Sequence, residues 1–558
     1  MKVSQNQRAI ALYSGSIGAF LESSVSHSDQ GYDTAHLEQC RIWLIQNNSL
    51  FCQYDVRSEL QIQPLPTVEL IDSSTKETRP TARPEVVMNP FEYPSETRNE
   101  DYRYHRLPVA QLQNAMGLNV SVMRSDPELE LMLFPVLYPW GKGQWIRRPA
   151  SQRVRGKDTL MQDCRIKLNS IISHYRDDHF WPAWIYMEIE AIRLFQNNQR
   201  LISGQIKRSL DGRLPVSELL QCSAYGNWSI VNEKITTTIP RFIRTGEAFF
   251  IDAESKIKAM LREYGIPILF VTLTFSEKWP QYQHLLKNSR NGDTLPSNRP
   301  WDAVQYYYER LYWLRKEFLR KPGMSMFGCL LEVVERHKFQ QCGAIHSHCL
   351  LWTESKQDKL LSDHFIRADV PDPLKEPELY SLVVKHQIHN CDPEYCGGPL
   401  PNDGPCRKGF PTPLAEYTHV QSGELRYRYA QKKEEDRHVV PYNARLLLIW
   451  KAHCNIQYCT TGGLANYVSK YVTKSEPKSI VSINSQDHVT SHLEARQIGS
   501  MEMMVLLLGH PIFLMTSACI YLPMAPPELR SATVKPPWML EEDPENPYFD
   551  DALEKYYN

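Results

Sequence analysis

MFGCLLEVVERHKFQQCGAIHSHCLLW, residues 326–352, contains two runs rich in β-branched and large apolar residues, Met326–Val334 and Ala344–Trp352. A short polar stretch around Phe339 separates them. So short a connection suits antiparallel strands, because a parallel pair needs a crossover of about a dozen residues or more. The stretch therefore reads as a β-hairpin. Upstream, Ile266–Phe275 (IPILFVTLTF) has the length and composition of a buried strand. Helical spacing runs from Thr159 to about Lys207, including Trp184–Leu194 (WIYMEIEAIRL). It returns in Trp301–Arg320, stopped by Lys321–Pro322–Gly323, and in Asn443–Ala452 and Gly463–Lys474. The expected fold is α+β: an antiparallel sheet flanked by helices, rather than a doubly wound parallel sheet.

The hairpin's second strand carries His346–Ser347–His348. Residues i and i+2 of a strand share a face, so both imidazoles project together and can hold one metal ion. A turn centred between Gln340 and Gln341 sets Glu335 directly opposite His346, which makes Glu335 the expected third ligand. A shift of half a residue makes it Glu332, opposite His348. Two imidazoles and a carboxylate suit Mg²⁺ or Mn²⁺, with the nitrogen ligands favouring Mn²⁺.

Gly463–Lys474 (GLANYVSKYVTK) sets Tyr467 and Tyr471 four residues apart, on one face of the expected helix. Lys470 and Lys474 occupy an adjacent face. A tyrosine oxygen can attack phosphorus and form a covalent intermediate. With a free pKa of ~10 it needs a base or a nearby cation, and lysines can bind the phosphate.

Between these regions lies His386–Cys406 (HQIHNCDPEYCGGPLPNDGPC). His389, Cys391, Cys396 and Cys406 form a candidate tetrahedral zinc site, with His386 as the alternative nitrogen ligand. The stretch is rich in Gly and Pro and has no obvious core of its own, so a structural zinc would order it. Arg407 and Lys408 follow directly and are candidate DNA contacts.

The chain has 558 residues, more than one compact domain holds; about 150 residues per domain gives three or four units. Residues 1–125 form an N-terminal region of unread role, with a Pro/Ser/Thr-rich linker over about 61–108. Residues 126–245 are expected to be mostly helical. The core is placed at 246–476, with the zinc insertion at about 380–413, and a C-terminal extension at 477–558. The formal net charge is -1, but Pro537–Asn558 carries seven acidic residues and one lysine, so the rest is net positive. A basic run from Lys142 to Lys157, including Arg147, Arg148, Arg153 and Arg155, suits phosphate contact. Thirteen cysteines, an odd number irregularly spaced, point to a reducing compartment rather than a disulfide framework. The apolar stretch Met503–Met524 approaches the length of a membrane span. Gly509, His510 and Pro511 break it, so two buried core elements are expected.

Taken in order, FVTLTF (270–275), GAIHSHCLLW (343–352) and YVSKYVTK (467–474) resemble the HUH nuclease core of Helitron transposases and related rolling-circle Rep proteins. DPELELMLFPVLYPWGKG (126–143), GFPTP (409–413) and VVPYNARLLLIWKAHCNIQ (439–457) are also Helitron-like. The resemblance runs from about Asp126 to Lys474, and more loosely to about Arg530. It implies that His346 and His348 bind a divalent metal. It also implies that Tyr467 and Tyr471 attack single-stranded DNA at transposon ends, each leaving a 5′-phosphotyrosine and a free 3′-OH. A nuclear location follows from such a substrate, and no membrane association is expected. Two departures stand out. The middle position of the histidine motif, usually hydrophobic, is Ser347, and the polar stretch before Gly343 departs from the family's acid–glutamine pattern. Full Helitron proteins continue into a helicase with a GxxxxGK[ST] phosphate loop. The nearest approach, GPCRKGF (404–410), has Phe410 and Pro411 where lysine and the hydroxyl residue belong. No ATPase is expected here, and a separate helicase is the expected partner. Two readings compete with a tyrosine DNA nickase: a catalytically inactive or domesticated transposon-derived DNA-binding protein, and a zinc-stabilised interaction scaffold.

Overall fold

The computed structural model describes residues 34–50, 128–146, 159–193, 243–287, 299–319, 325–339, 344–354, 361–392, 396–397, 405–420, 426–460 and 498–522, apart from positions 179, 191 and 245. It also describes the short elements at 68–71, 78–81, 108–113 and 119–123, and parts of 524–557. The chain divides into two compact units. One comprises residues 1–238, 481–495 and 525–551; the other comprises 239–480, 496–524 and 552–558.

The first unit holds the helices Thr34–Asn47, Leu129–Leu133 and Leu160–Leu168, a helical stretch at 181–190, and three two-stranded antiparallel ribbons. A polar knot anchors it. Glu130 is buried and accepts hydrogen bonds from the Tyr138 hydroxyl and from Trp181 Nε1, the latter at 2.8 Å. The Lys167 ammonium lies 3.8 Å from the same carboxylate and donates to the Tyr138 hydroxyl at 2.9 Å. A buried carboxylate is tolerated only when satisfied in this way.

The second unit is built on one five-stranded sheet. Its strands are β1 (Leu269–Thr274), β2 (Leu330–Phe339), β3 (Ile345–Thr353), β4 (Cys454–Tyr458) and β5 (Phe513–Met515). Their spatial order is β4-β1-β3-β2-β5, and every neighbouring pair is antiparallel. Its helices include α1 (Glu247–Tyr264), α2 (Pro280–Lys287), α3 (Pro300–Trp313), α4 (Pro377–His386), α5 (Ala444–Trp450) and α6 (Ser500–Leu508). The α+β architecture expected from the hairpin is the one observed.

The helix ends follow local chemistry. Pro300 opens α3, where a missing N–H costs nothing. Asn443 caps α5 by accepting from Leu446 N at 3.0 Å. Gly509 closes α6 at φ 81°, a conformation glycine adopts without penalty. The apolar stretch beyond Met503 is divided at Gly509–Pro511 as its sequence suggests, but only its first element is buried: the second is the half-buried edge strand β5, followed by exposed residues. No helix among the described residues is long and apolar enough to cross a membrane. Both α6 and β5 come from beyond residue 476, the expected C-terminal bound of the core.

The sheet has two unlike faces. On one, α1 packs Ala253, Ile257 and Met260 against Val334, Leu350 and Trp352. On the other, Val271, Leu273 and Leu351 lie with Leu311 and Leu314 of the α3 region and Leu446 of α5. Trp450 ties α5 to β1 by donating from Nε1 to the Thr274 carbonyl at 3.0 Å. That bond holds the strand next to the histidines.

Candidate metal centres on the sheet and in the insertion

The register decides what surrounds the histidine pair. On β3, His346 faces Thr274 of β1 on one side and Lys338 of β2 on the other. His348 faces Thr272 and Arg336 in the same way. Both imidazoles therefore lie on the α1 face, with His346 buried and His348 half-buried. Each ring is held by a threonine: Thr274 Oγ1 lies 3.0 Å from His346 Nδ1, and Thr272 Oγ1 lies 3.1 Å from His348 Nδ1. With Nδ1 engaged, Nε2 is the atom left to meet an ion. In His346, Nε2 is buried and has no hydrogen-bond partner.

The electrostatics keep both rings neutral. Burial, then the proximity of His453, lowers the His346 pKa to about 4. Burial, then His346, Lys338, Arg336 and His337, lowers that of His348 to about 3. A neutral imidazole is the form that ligates metal. Two nitrogen donors thus fit a divalent ion.

Glu335 does not complete this site. It pairs with Cys349, not His346, and so projects from the opposite face. The hairpin is centred on residue 342 rather than between Gln340 and Gln341, as the Lys338–His346 pairing shows. An odd displacement in the sum of paired positions sends every side chain of β2 to the other face. There Glu335 is buried against Arg315, whose Nη2 donates to its Oε2. His337 Nε2 lies 3.0 Å from Glu335 Oε1, close as an electrostatic partner but not aligned as a hydrogen bond. Burial raises the carboxyl pKa, but His337 and Arg315 outweigh it and bring it down to about 2. Glu332, the alternative, shares the histidine face but pairs with Trp352, four residues from His348 along β3. Its carboxylate accepts hydrogen bonds from Thr516 and Ser517, the latter at 2.6 Å. Cations, not acids, stand directly opposite the two histidines.

Ser347 faces away from the histidines, as strand alternation requires, and is fully buried. Its hydroxyl lies 2.6 Å from the Tyr307 hydroxyl and 3.4 Å from His337 Nδ1. A hydrophobic residue there would leave Tyr307 without this partner, so the serine fits a buried polar network that continues through His337 to Glu335 and Arg315.

Three residues of this site escaped sequence reasoning. Thr272 and Thr274 alternate in FVTLTF, the pattern of two side chains on one strand face. His453, just before β4, lies beside Thr274, whose N–H donates to the His453 carbonyl at 3.1 Å. Their signal exists in the sequence, but only the strand order makes them neighbours.

The second cluster lies in the insertion. His389, Cys391, Cys396 and Cys406 each offer one ligand atom, and these atoms lie within 4.8 Å of one another. Among the described residues, no other three or more His, Cys, Asp or Glu side chains gather in this way. Local turns build the cluster. Asp392 N–H donates to Cys396 Sγ at 3.2 Å, Arg407 N–H to the Cys396 carbonyl at 3.1 Å, and Gly409 N–H to the Cys406 carbonyl at 2.7 Å. Gly397 supplies φ 83° where the Arg407 side chain passes 3.0 Å from the position a Cβ would take. His389 stacks on Phe410, ring centres 4.4 Å apart. Desolvation and the neighbouring thiols of Cys406 and Cys396 push the Cys391 pKa up to about 11, a penalty that a bound cation would reverse. A donor set of three sulfurs and one nitrogen, closed and tetrahedral in number, suits a structural metal such as zinc. His386 is not in this set; its carbonyl instead accepts from His453 Nδ1 at 2.8 Å. Arg407 and Lys408 are exposed beside the cluster.

Tyr467, Lys470, Tyr471 and Lys474, and the basic residues Arg147, Arg148, Arg153 and Arg155, lie outside the described residues.

Residues 180–351 match the family model described as the Helitron helicase-like domain at the N-terminus. The matched segment includes β1, α3, β2 and nearly all of β3, with both histidines. This match links the chain to a transposon-related role. No curated protein matches the chain.

Proposed function

We propose, from the premise that residues 180–351 form a Helitron-type N-terminal domain, that this protein is a metal-dependent HUH-type endonuclease that nicks single-stranded DNA through a tyrosine. The observation that carries the reading is the pair His346 and His348. They stand side by side on one sheet face, each fixed at Nδ1 by a threonine and kept neutral by burial. A divalent ion, Mn²⁺ or Mg²⁺, held by the two imidazoles would supply the positive charge that polarises a scissile phosphate.

The chain's own groups do the rest. The Tyr467 or Tyr471 oxygen attacks phosphorus as its proton passes to solvent. A tyrosine–phosphorus bond forms, the bond from phosphorus to the 3′-oxygen breaks, and that oxygen takes up a proton to leave a free 3′-OH. Lys470 neutralises charge on the phosphate. Lys338, beside His346 on β2, adds positive charge at the same face. Reversal with a second 3′-OH transfers the strand. The two tyrosines allow a donor and a second strand to be handled in turn, as transposition of element ends requires. Unpaired bases would stack on aromatic side chains, with Arg407 and Lys408 on the backbone. Unwinding is left to a separate helicase, and the working compartment is the nucleus.

One observation favours a second reading, a DNA-binding relic without cleavage. Cations occupy the positions opposite the histidines where an acid was expected. The test is cleavage of end-labelled single-stranded DNA with Mn²⁺, comparing the zinc-loaded wild type with His346→Ala and His348→Ala. Mn²⁺-dependent nicking that both substitutions reduce by about a hundredfold or more supports the nuclease. Binding without nicking in the wild type supports the relic.

A further inference from the structure

The motif FPVLYPWGKG (134–143) carries a tryptophan that the fold holds out of its core. Trp140 is 59% exposed. It meets Trp43 of the helix Thr34–Asn47, itself 37% exposed, with ring centres 4.8 Å apart and planes at 76°. Indoles are ordinarily well buried, so two set together at the surface mark a contact site. Both belong to the first unit, outside the matched residues 180–351.

The position of Trp140 is built by its neighbours. Tyr138–Gly141 is a β-turn, closed by the Gly141 N–H donating to the Tyr138 carbonyl at 2.9 Å, with Pro139 and Trp140 at its centre. Two anchors hold its base. Tyr138 is buried, and its hydroxyl belongs to the knot with Glu130 and Lys167. Asn48, just past the helix, is also buried; its Nδ2 donates to the Tyr138 carbonyl at 3.3 Å, and its Oδ1 accepts from Leu50 N at 3.0 Å. Gly141 takes φ 65°, and a Cβ there would come within 2.8 Å of Asn48 Oδ1. Glycine thus lets the turn close on Asn48. The result is a turn pinned at its base with an indole at its tip.

The charge beside the indoles selects the ligand. Lys142, two residues after Trp140, is exposed. The sequence that follows the loop, residues 147–157, adds Arg147, Arg148, Arg153, Arg155 and Lys157 and no acid. Such a run attracts phosphate. A protein-docking patch is instead depleted of charge at its centre. Exposed aromatic rings beside cations are the combination that holds single strands: bases of any sequence stack on the rings, and the cations follow the backbone. Within a duplex the faces of a base are covered by its neighbours, so the rings take unpaired bases. We propose that Trp140 and Trp43, with Lys142, form a stacking platform for single-stranded DNA. The inference rests on the nuclease reading above, which supplies the strand, and it gives the first unit a DNA contact of its own.

The experiment measures fluorescence anisotropy of a labelled oligo(dT) strand of about 16 nucleotides, and of a duplex of the same length, with the zinc-loaded full chain. Mn²⁺ is omitted, so binding is read apart from cleavage. Trp140→Ala removes an exposed side chain and should lower single-strand affinity by about fivefold or more, with duplex affinity nearly unmoved. Trp140→Phe should keep most of the single-strand affinity. Lys142→Ala should lower the slope of log affinity against log salt by about 0.7. A loss below fivefold in Trp140→Ala, equal losses on strand and duplex, no advantage of Trp140→Phe over Trp140→Ala, or an unchanged slope in Lys142→Ala would overturn the proposal. Retained single-strand affinity in Trp140→Ala with altered sedimentation would overturn it in favour of a protein contact. The expected losses in a protein whose wild type nicks nothing with Mn²⁺ would support the platform and overturn the nuclease reading alone.

Discussion

Replacing Glu335 by alanine should destabilise the sheet and leave metal affinity at the histidines unchanged. The carboxylate is buried, ion-paired to Arg315, and 3.0 Å from His337. Two observations give the direction and the size of the effect. The depressed carboxyl pKa means that the ionised form stabilises the fold at neutral pH, with Arg315 as its charged partner. Breaking a buried pair by removing one partner costs about 3–5 kcal/mol, because Arg315 is left with an uncompensated charge. The sign with pH follows. The folded-state pKa is depressed, so the contribution is complete above about pH 5 and is lost as pH falls towards 2. The assay is hydrogen exchange of peptides spanning Leu330–Phe339 and Ile345–Thr353, which reads local opening of the sheet. Protection in Glu335→Ala should fall by about a hundredfold at pH 7. The deficit should narrow by about 1 kcal/mol or more near pH 3.5. A loss under about fourfold at pH 7 would refute the reasoning. Unchanged protection with weakened Mn²⁺ binding would restore Glu335 as a metal ligand.

Two further outcomes are expected. Stripping metal with a chelator, or substituting Cys396→Ser, should release one zinc and sharply raise exchange around residues 386–410, while β1 and β3 keep their protection; an unchanged insertion would remove the case for a structural metal. Single-stranded DNA binding should weaken with salt, and the double substitution Arg407→Ala with Lys408→Ala should lower the slope of log affinity against log salt by about 1.4; an unchanged slope would exclude both side chains as phosphate contacts.

The strands and helices of the sheet unit were legible because each is a long, strongly patterned run. β1 lies within Ile266–Phe275 and α5 within Asn443–Ala452, and α3 begins one residue before Trp301–Arg320. The hairpin itself was legible from the short connection between its strands. Its register was not. Gln340, Gln341, Cys342 and Gly343 carry no turn signature that fixes a centre, and an error of a residue and a half exchanges the two faces of β2. Glu335 thus reads as a ligand in sequence and stands in the opposite network in the fold. The alternation on β3 needed no register, so the shared face of His346 and His348 could be read directly. The insertion cluster was legible for a different reason: its ligands are close in sequence, and a Gly- and Pro-rich stretch has little else to hold it. Thr272, Thr274 and His453 reach the site only through the order β4-β1-β3, which pairs segments some 180 residues apart, as in Thr272 with Asn455. The same separation explains why β5, after residue 512, could not be joined to the core by reading along the chain.

The central claim is that a tyrosine becomes covalently joined to DNA. Its most direct test is denaturing electrophoresis of labelled single-stranded DNA carrying the element's ends, incubated with Mn²⁺ and the wild type, Tyr467→Phe, Tyr471→Phe or the double substitution. The account expects a denaturation-resistant protein–DNA adduct that needs metal, survives in at least one single variant and disappears in the double variant. Clear binding with no adduct from the wild type, or an adduct that persists in the double variant, would contradict it.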